Sequence, residues 1–260
     1  MTTISSGRYA SVNGLQLYYE DHGEGFPLVL IHGGGSTIDS TFGRILPTLA
    51  RTHRVIAVEM QAHGRTADIN RPLSFEQDAD DIAALLSLLE IPKADVFGFS
   101  NGGTTTLQLA IRHPEKVHKL IIGSALTRRD GMFPGFFDGF DNANLGMLPH
   151  GLREAFLSVN SDEKALEAMF YRDVARMKAF ADIPDEQVAG IQAPVLIING
   201  DNDVVTREHA VFLSRLMPKA QLAILPGGHG DYIGEIEAVN PGSRLPVLVL
   251  DLIETFLNQV

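Results

Sequence analysis

Val96-Phe97-Gly98-Phe99-Ser100-Asn101-Gly102-Gly103 reads as a buried strand that stops abruptly and turns into a helix, with one hydroxyl at the corner. Gly98 and Gly102 bracket Ser100 at the G-x-S-x-G spacing, and their missing Cβ atoms let strand and helix approach closely around an exposed nucleophile. In a chain with 25 glycines the spacing alone says little. The setting carries the weight: Ala94-Asp95-Val96-Phe97 is a short apolar run just after a proline, and Thr104 to His113 reads as a helix stopped by Pro114. A glycine-rich turn with an incidental serine would explain the spacing but not the strand before it and the helix after it.

Working outward toward the N-terminus, Val12-Asn13-Gly14-Leu15 is an Asn-Gly hairpin turn between two short strands, expected to form an antiparallel edge. Pro27-Leu28-Val29-Leu30-Ile31 is a continuous apolar run, as in a strand covered on both faces, and it ends in His32-Gly33-Gly34-Gly35. That glycine run lacks the Lys of a phosphate-binding G-x-x-x-x-G-K loop and the spacing of a dinucleotide fingerprint. What remains is a plain flexible turn, or a loop that aims a backbone N–H at a developing oxyanion. Arg54 to Val58 reads as a further strand, after a helical segment around Phe42 to Ala50. Phe75, Ala79, Ile82, Leu86 and Leu89 recur at helical spacing behind Ser74, with Gln77 placed to complete a capping box.

Toward the C-terminus, Val117 to Ile122 supplies another strand, so strands and helices alternate and imply a mostly parallel, doubly wound α/β sheet of about eight strands. The pattern changes over residues 128–190, where Met132, Phe133, Phe136, Phe137 and Phe140 sit among glycines ahead of helical segments Leu152–Val159 and Ala165–Met177. This stretch is expected to be a small helical cap inserted into a core of residues 1–127 and 191–260, over the carboxyl end of the sheet. Phe133, Phe136, Phe137 and Met147 are its candidate substrate-contacting residues, although packing of cap on core would also account for each. The alternation resumes at Ala193–Ile198, whose strand ends in Asn199-Gly200-Asp201-Asn202-Asp203; a helix capped by Thr206 runs to Met217; the strand Gln221–Leu225 ends in Pro226-Gly227-Gly228-His229; and Pro246 to Val260 reads as a closing helix.

Ser100, then Asp203 or Asp201, then His229 therefore each follow a different strand, in the chain order of one of the three unrelated serine-hydrolase arrangements. On His32-Gly33-Gly34, His63-Gly64-Arg65, Gly98 to Gly103, His113-Pro114-Glu115-Lys116-Val117, Gly200-Asp201-Asn202-Asp203 and Gly228-His229, the sequence resembles the α/β-hydrolase fold superfamily over essentially its whole length. The resemblance favours Asp203, last in G-x-x-D, as the acid. It implies a triad of Ser100, Asp203 and His229 and an oxyanion hole formed by the N–H groups of Gly34 and Asn101. Glu59 and Ala62 depart from the Asp and Gly that the family often carries before its H-G pair, which leaves that loop's conformation open.

The implied activity is a cofactor-free serine hydrolase, with carboxylic ester hydrolysis leading. Carbon–carbon bond hydrolysis, lactone hydrolysis and peracid formation use a similar triad, and a slow-turnover ligand receptor that keeps the triad belongs to another class. A serine where dehalogenases and related epoxide hydrolases carry Asp argues against those. His32 and His63 read as loop structure. An acidic substrate would want a cation facing Ser100, for which Arg128, Arg129, Arg153 and Arg172 are candidates.

Composition fits this picture. The 260 residues suit one large α/β domain with a modest insertion. A formal charge of −11, with no basic cluster beyond Arg128-Arg129 and Lys116/Lys119, argues against nucleic-acid or anionic-membrane partners and leaves a small-molecule substrate. There is no cysteine, hence no disulfide or thiolate chemistry, and no His/Asp/Glu spacing that suggests a metal site. Met1 to Ala10 is polar, without the apolar core of a secretory signal, and no run approaches the ~20 apolar residues of a membrane span. A cytoplasmic protein is the expectation. Oligomeric state is not legible.

Overall fold

The computed structural model describes residues 7–240 and 242–259; residues 1–6, Pro241 and Val260, the last of which is the expected end of the closing helix, lie outside them. Eight strands, β1 (Arg8–Val12), β2 (Leu15–His22), β3 (Phe26–Ile31), β4 (His53–Glu59), β5 (Ala94–Phe99), β6 (Val117–Gly123), β7 (Val195–Gly200) and β8 (Ala220–Leu225), form one sheet in the order β1-β2-β4-β3-β5-β6-β7-β8. The first two strands are antiparallel, joined through Asn13 and Gly14 at φ 47° and 83° as the Asn-Gly turn requires, and β3 to β8 are parallel. The sheet is the mostly parallel α/β arrangement expected from the alternation.

Helices α1 (Ile38–Phe42), α2 (Leu46–Leu49), α3 (Phe75–Leu88), α4 (Asn101–Arg112), α5 (His150–Val159), α6 (Glu163–Ala179), α7 (Asp185–Ala189), α8 (Arg207–Leu216) and α9 (Leu245–Leu257) complete the described elements. Strand alternation splits the core. Val29, Ile31, Val58, Val96 and Ile122 pack under α3, α4 and α8, while Leu28, Leu30, Ala57, Phe97, Ile121 and Ile198 pack under α1, α2 and α9. Both faces are therefore buried, which is why these strands read as continuous apolar runs.

Three local expectations change. The helical stretch at Phe42–Ala50 is two short helices, because Pro47 at the start of α2 has no N–H to give and its ring would clash with the carbonyl four residues back. Helix α4 begins at Asn101, directly after Ser100, not at Thr104. Only half of the capping box on α3 forms: Ser74 Oγ accepts the Gln77 N–H at 3.1 Å, but the Gln77 side chain donates to Asp81 at 3.0 Å. Residues 128–190 hold α5, α6, α7 and short 3₁₀ turns, with no element of the sheet among them.

Because β3 and β5 are neighbours, the glycine loop after β3 and the Ser100 corner after β5 meet at the carboxyl edge of the sheet. The ends of β6, β7 and β8 line up beside them. A crevice at that edge is where open α/β sheets bind ligands.

Candidate active site

Ser100 stands at φ 56° and ψ −121°, a conformation costly for a residue with a Cβ and tolerated because both flanks are fixed. Its N–H donates to the Gly123 carbonyl at 2.8 Å, and its own carbonyl accepts from Gly103 and Thr104 in the first turn of α4. The two bracketing glycines are obligatory for a steric reason. A Cβ on Gly98 would lie 2.0 Å from the Gly102 carbonyl oxygen, and one on Gly102 would lie 2.1 Å from that of Ile31.

His229, in the loop after β8, places Nε2 3.0 Å from Ser100 Oγ and Nδ1 2.7 Å from Asp203 Oδ1. Asp201 is turned elsewhere: its Oδ1 accepts the Gly227 N–H at 2.9 Å and shapes the loop that carries His229. Asp203 is fully buried at its side chain and also accepts from the Ser124 hydroxyl and the Gly200 and Val205 N–H groups. Burial acts to raise its pKa, but the His229 ring and these hydrogen bonds outweigh burial and hold the carboxyl below its ordinary value. The imidazole is thus oriented with an acceptor aimed at the serine hydroxyl, the geometry that removes a proton during nucleophilic attack.

Sequence reasoning missed the second layer of this chain of bonds. Ser124 spends its proton on Asp203, so the Tyr232 hydroxyl 2.8 Å away is the donor to Ser124 Oγ. Tyr232 is fully buried, and burial, aided by the charge of Asp203, raises its pKa. Neither Ser124 nor Tyr232 lies in a motif, so nothing local marked them.

Gly34 and Asn101 line, together with Ser100, a cavity of about 320 Å³. Among the described residues no backbone or side-chain acceptor takes either N–H. A Cβ on Gly34 would meet Asn101 Nδ2 at 2.4 Å, so that amide would have to swing aside. His32 is not catalytic in this geometry: Nδ1 donates to the Gly33 carbonyl at 2.7 Å and Nε2 accepts the Met60 N–H at 3.1 Å. Burial, with His63 beside it, pushes its pKa down to about 3, which keeps that tautomer neutral. Glu59 takes the place open in the sequence by accepting from the Arg65 N–H at 2.6 Å and its guanidinium at 2.7 Å, and Ala62 adopts the left-handed φ of 67° that a glycine would favour.

Of the four aromatic and Met candidates, Phe136 and Met147 line the cavity and two do not. Phe133 is 45% exposed and makes a T-shaped contact with Phe136, while Phe137 stacks on Phe180 beneath the Arg129 guanidinium. The α6 residues Met169, Phe170, Asp173 and Met177 line it instead, a face whose three- and four-residue spacing was present in the sequence. None of the four candidate cations reaches it: Arg128 pairs with Asp185, Arg172 with Asp68, Arg129 covers Phe137, and Arg153 lies outside the lining. A larger open groove of about 780 Å³ between Asn13 and Arg112 is lined by the Asp80 pairs with Arg112 and His113 and includes none of Ser100, Asp203 and His229. Among the described residues no group of three or more His, Asp or Glu side chains could hold a metal ion, and no helix is long and apolar enough to cross a membrane.

The model of the alpha/beta hydrolase fold family matches residues 27–235, spanning the glycine loop, the Ser100 corner and His229. The chain belongs to the alpha/beta hydrolase fold family. As a member it is 29% identical over 248 residues to the serine hydrolase BPHL of Homo sapiens, covering 87% of this chain and 80% of that one. It is 28% identical over 258 residues to a 2-hydroxy-6-oxo-2,4-heptadienoate hydrolase of Pseudomonas putida, covering 86% and 90%. A solved structure of an N-acyl homoserine lactone degrading enzyme superposes with a TM-score of 0.76 at 27% identity, over 96% of this hydrolase-fold chain and all of the other.

Proposed function

We propose that this hydrolase is a serine esterase that cleaves small or medium apolar carboxylic esters through an acyl-enzyme on Ser100. The observation that carries the reading is His229 held between Asp203 and Ser100, with Ser100 lining a mainly apolar cavity. Ser100 Oγ bonds to the ester carbonyl carbon as its proton passes to His229 Nε2. The tetrahedral oxyanion is met by the Gly34 and Asn101 N–H groups, the latter at the positive end of α4. Collapse breaks the bond to the alkoxy oxygen, which leaves with the proton from His229. A water then repeats the sequence on the acyl-enzyme and releases the acid. Asp203 holds the tautomer and stabilises the imidazolium. Residues 128–190 act as the cap that encloses the acyl group, and the chemistry needs no cofactor or metal.

The same atoms would open a lactone, which is an internal ester. Relatives named for dienoate substrates act on carboxylates, and the cavity favours a different class here. The one ionisable side chain in its lining is Asp173, and the nearest cation, Arg176, is paired with Asp173 and Asp78. No cation in the lining is free to neutralise an anionic substrate, which disfavours that class.

The test is stopped-flow hydrolysis of p-nitrophenyl esters of increasing acyl length with excess substrate, with Ser100→Ala as control. Sustained turnover that disappears in the variant is the expected result. A single burst without turnover would support a receptor, and no release at all would bring carbon–carbon hydrolysis or peracid chemistry forward.

A further inference from the structure

Asp173 reaches the cavity from α6, not from the sheet. Its Oδ2 accepts the Gly35 N–H at 2.7 Å and lies 3.0 Å from His63 Nε2, whose Nδ1 donates to the Gln61 carbonyl at 2.9 Å. The other carboxylate oxygen pairs with Arg176 one turn along α6, and Arg176 pairs with Asp78 of α3 at 2.9 Å. His63, Arg176 and Asp78 are each almost wholly buried at their side chains, so each charge is partnered only by the others. Removing one partner would leave the rest uncompensated.

This cluster holds a specific piece of backbone. The Gly34–Gly35 peptide is pinned at both ends, its carbonyl by the Ser36 hydroxyl at 3.2 Å and its N–H by Asp173 at 2.7 Å, with His63 Nε2 3.2 Å from the same N–H. One peptide earlier, the Gly33 carbonyl is held by His32. Gly34 lies between two fixed peptide planes, and glycine has the conformational freedom to swing if either is released. The backbone that follows Gly34, and through it the direction of the Gly34 N–H, is therefore held in part by a side chain on α6, 138 residues beyond Gly35.

We propose that Asp173 is a positioning residue that ties α6 to the glycine loop, so that Gly34 presents its N–H to the reacting carbonyl only while α6 is seated on the core. The inference rests on the reading of Ser100 as nucleophile and goes beyond it: acylation is coupled to the placement of the helix that also walls the acyl cavity. The isosteric Asp173→Asn replacement is the sharpest probe. An amide cannot accept from Gly35 and His63 on one oxygen and from Arg176 on the other, because one of its two ends is a donor.

The experiment uses the full chain and three readouts: kcat and KM for p-nitrophenyl acetate, the inhibition constant of an alkyl boronic acid that forms a tetrahedral adduct on serine, and the rate of Ser100 labelling by a fluorophosphonate. Asp173→Asn is expected to lower kcat and the labelling rate roughly tenfold to a hundredfold, short of the 10²–10³ of losing an oxyanion donor outright. KM stays within about threefold, and boronate affinity falls by the same factor as kcat. Arg172→Ala cuts the exposed pair from α6 to Asp68 and leaves all three readouts near the parent values. A role in holding α6 down and nothing more would raise KM in both variants together, and that outcome overturns the proposal, as does an Asp173→Asn protein that labels and turns over like the parent. If Asp173→Asn does not fold, Asp173→Glu keeps the charge one methylene longer and must show the same kcat loss at constant KM. A parent protein that is not labelled on Ser100 removes the esterase reading itself, and this inference with it.

Discussion

The Ser124 hydroxyl donates to Asp203 Oδ2 across 2.6 Å, on the carboxylate oxygen that His229 does not use. Ser124 sits at φ 49°, so the chain is bent just past β6 to bring that hydroxyl inward. Ser124→Ala removes the donor to Asp203 and the acceptor for Tyr232 at once. A hydrogen bond to a charged group is worth about 1.5–3 kcal/mol, so stability should fall by about that much. The folded-state pKa of Asp203 lies below its unfolded value, so its stabilisation is present above the unfolded pKa and is lost as pH falls through the folded one. Weakening the carboxylate's hydrogen bonds raises that folded pKa. Acid unfolding, followed by circular dichroism, should therefore move to higher pH in Ser124→Ala; an unchanged midpoint would mean that Ser124 does not stabilise the carboxylate.

Ser100 bears the strain of its corner, with φ 56° and ψ −121°. Ser100→Gly should abolish ester turnover and raise thermal stability together. Relief of about 1–3 kcal/mol of backbone strain outweighs the roughly 0.4–1 kcal/mol of added unfolded-chain entropy. The expected rise in Tm is a few degrees by calorimetry. A lower Tm than the parent would show that the corner is not strained.

Glu235 is buried close to His229, and burial pushes its pKa up to about 7 from 4.5. Between those values the folded protein keeps a proton that the unfolded chain has released, so stability falls as pH rises across this window and levels off above it. At about 1.4 kcal/mol per unit the full effect is a few kcal/mol. Glu235→Gln should match the parent near pH 5 and exceed it at pH 8 in urea unfolding. Equal differences at both pH values would remove the titration from Glu235.

A lining without a cation and the apolar walls of Phe136, Phe140 and Met147 should make the enzyme discriminate by charge. p-Nitrophenyl butyrate is expected to show kcat/KM at least about tenfold above p-nitrophenyl hemisuccinate, which matches it in length and adds one negative charge, an effect of about 1.4 kcal/mol on transition-state binding. A preference for the hemisuccinate would return the dienoate class to the front.

Features that a few neighbouring residues decide can be read along the chain. Glycines at 98 and 102 around Ser100 and the apolar runs at 28–31 and 94–99 predicted a strand–turn–helix corner on a buried parallel sheet, and steric contacts under 2.5 Å at both glycines are the reason no other residue stands there. The order of Ser100, Asp203 and His229 after β5, β7 and β8 was legible because each follows a strand, and parallel strands deliver their ends to one edge. Tertiary structure alone decided which loop side chains turn inward. It chose Asp203 over Asp201, sent Phe133 and Phe137 away from the cavity, and brought in Tyr232 and Asp173. Periodicity fixes the face of a helix or strand, but a side chain on a loop takes its direction from elements that arrive a hundred residues later, and Gly35 meeting Asp173 is set by the packing of α6 on the core, not by anything in either residue's own neighbourhood.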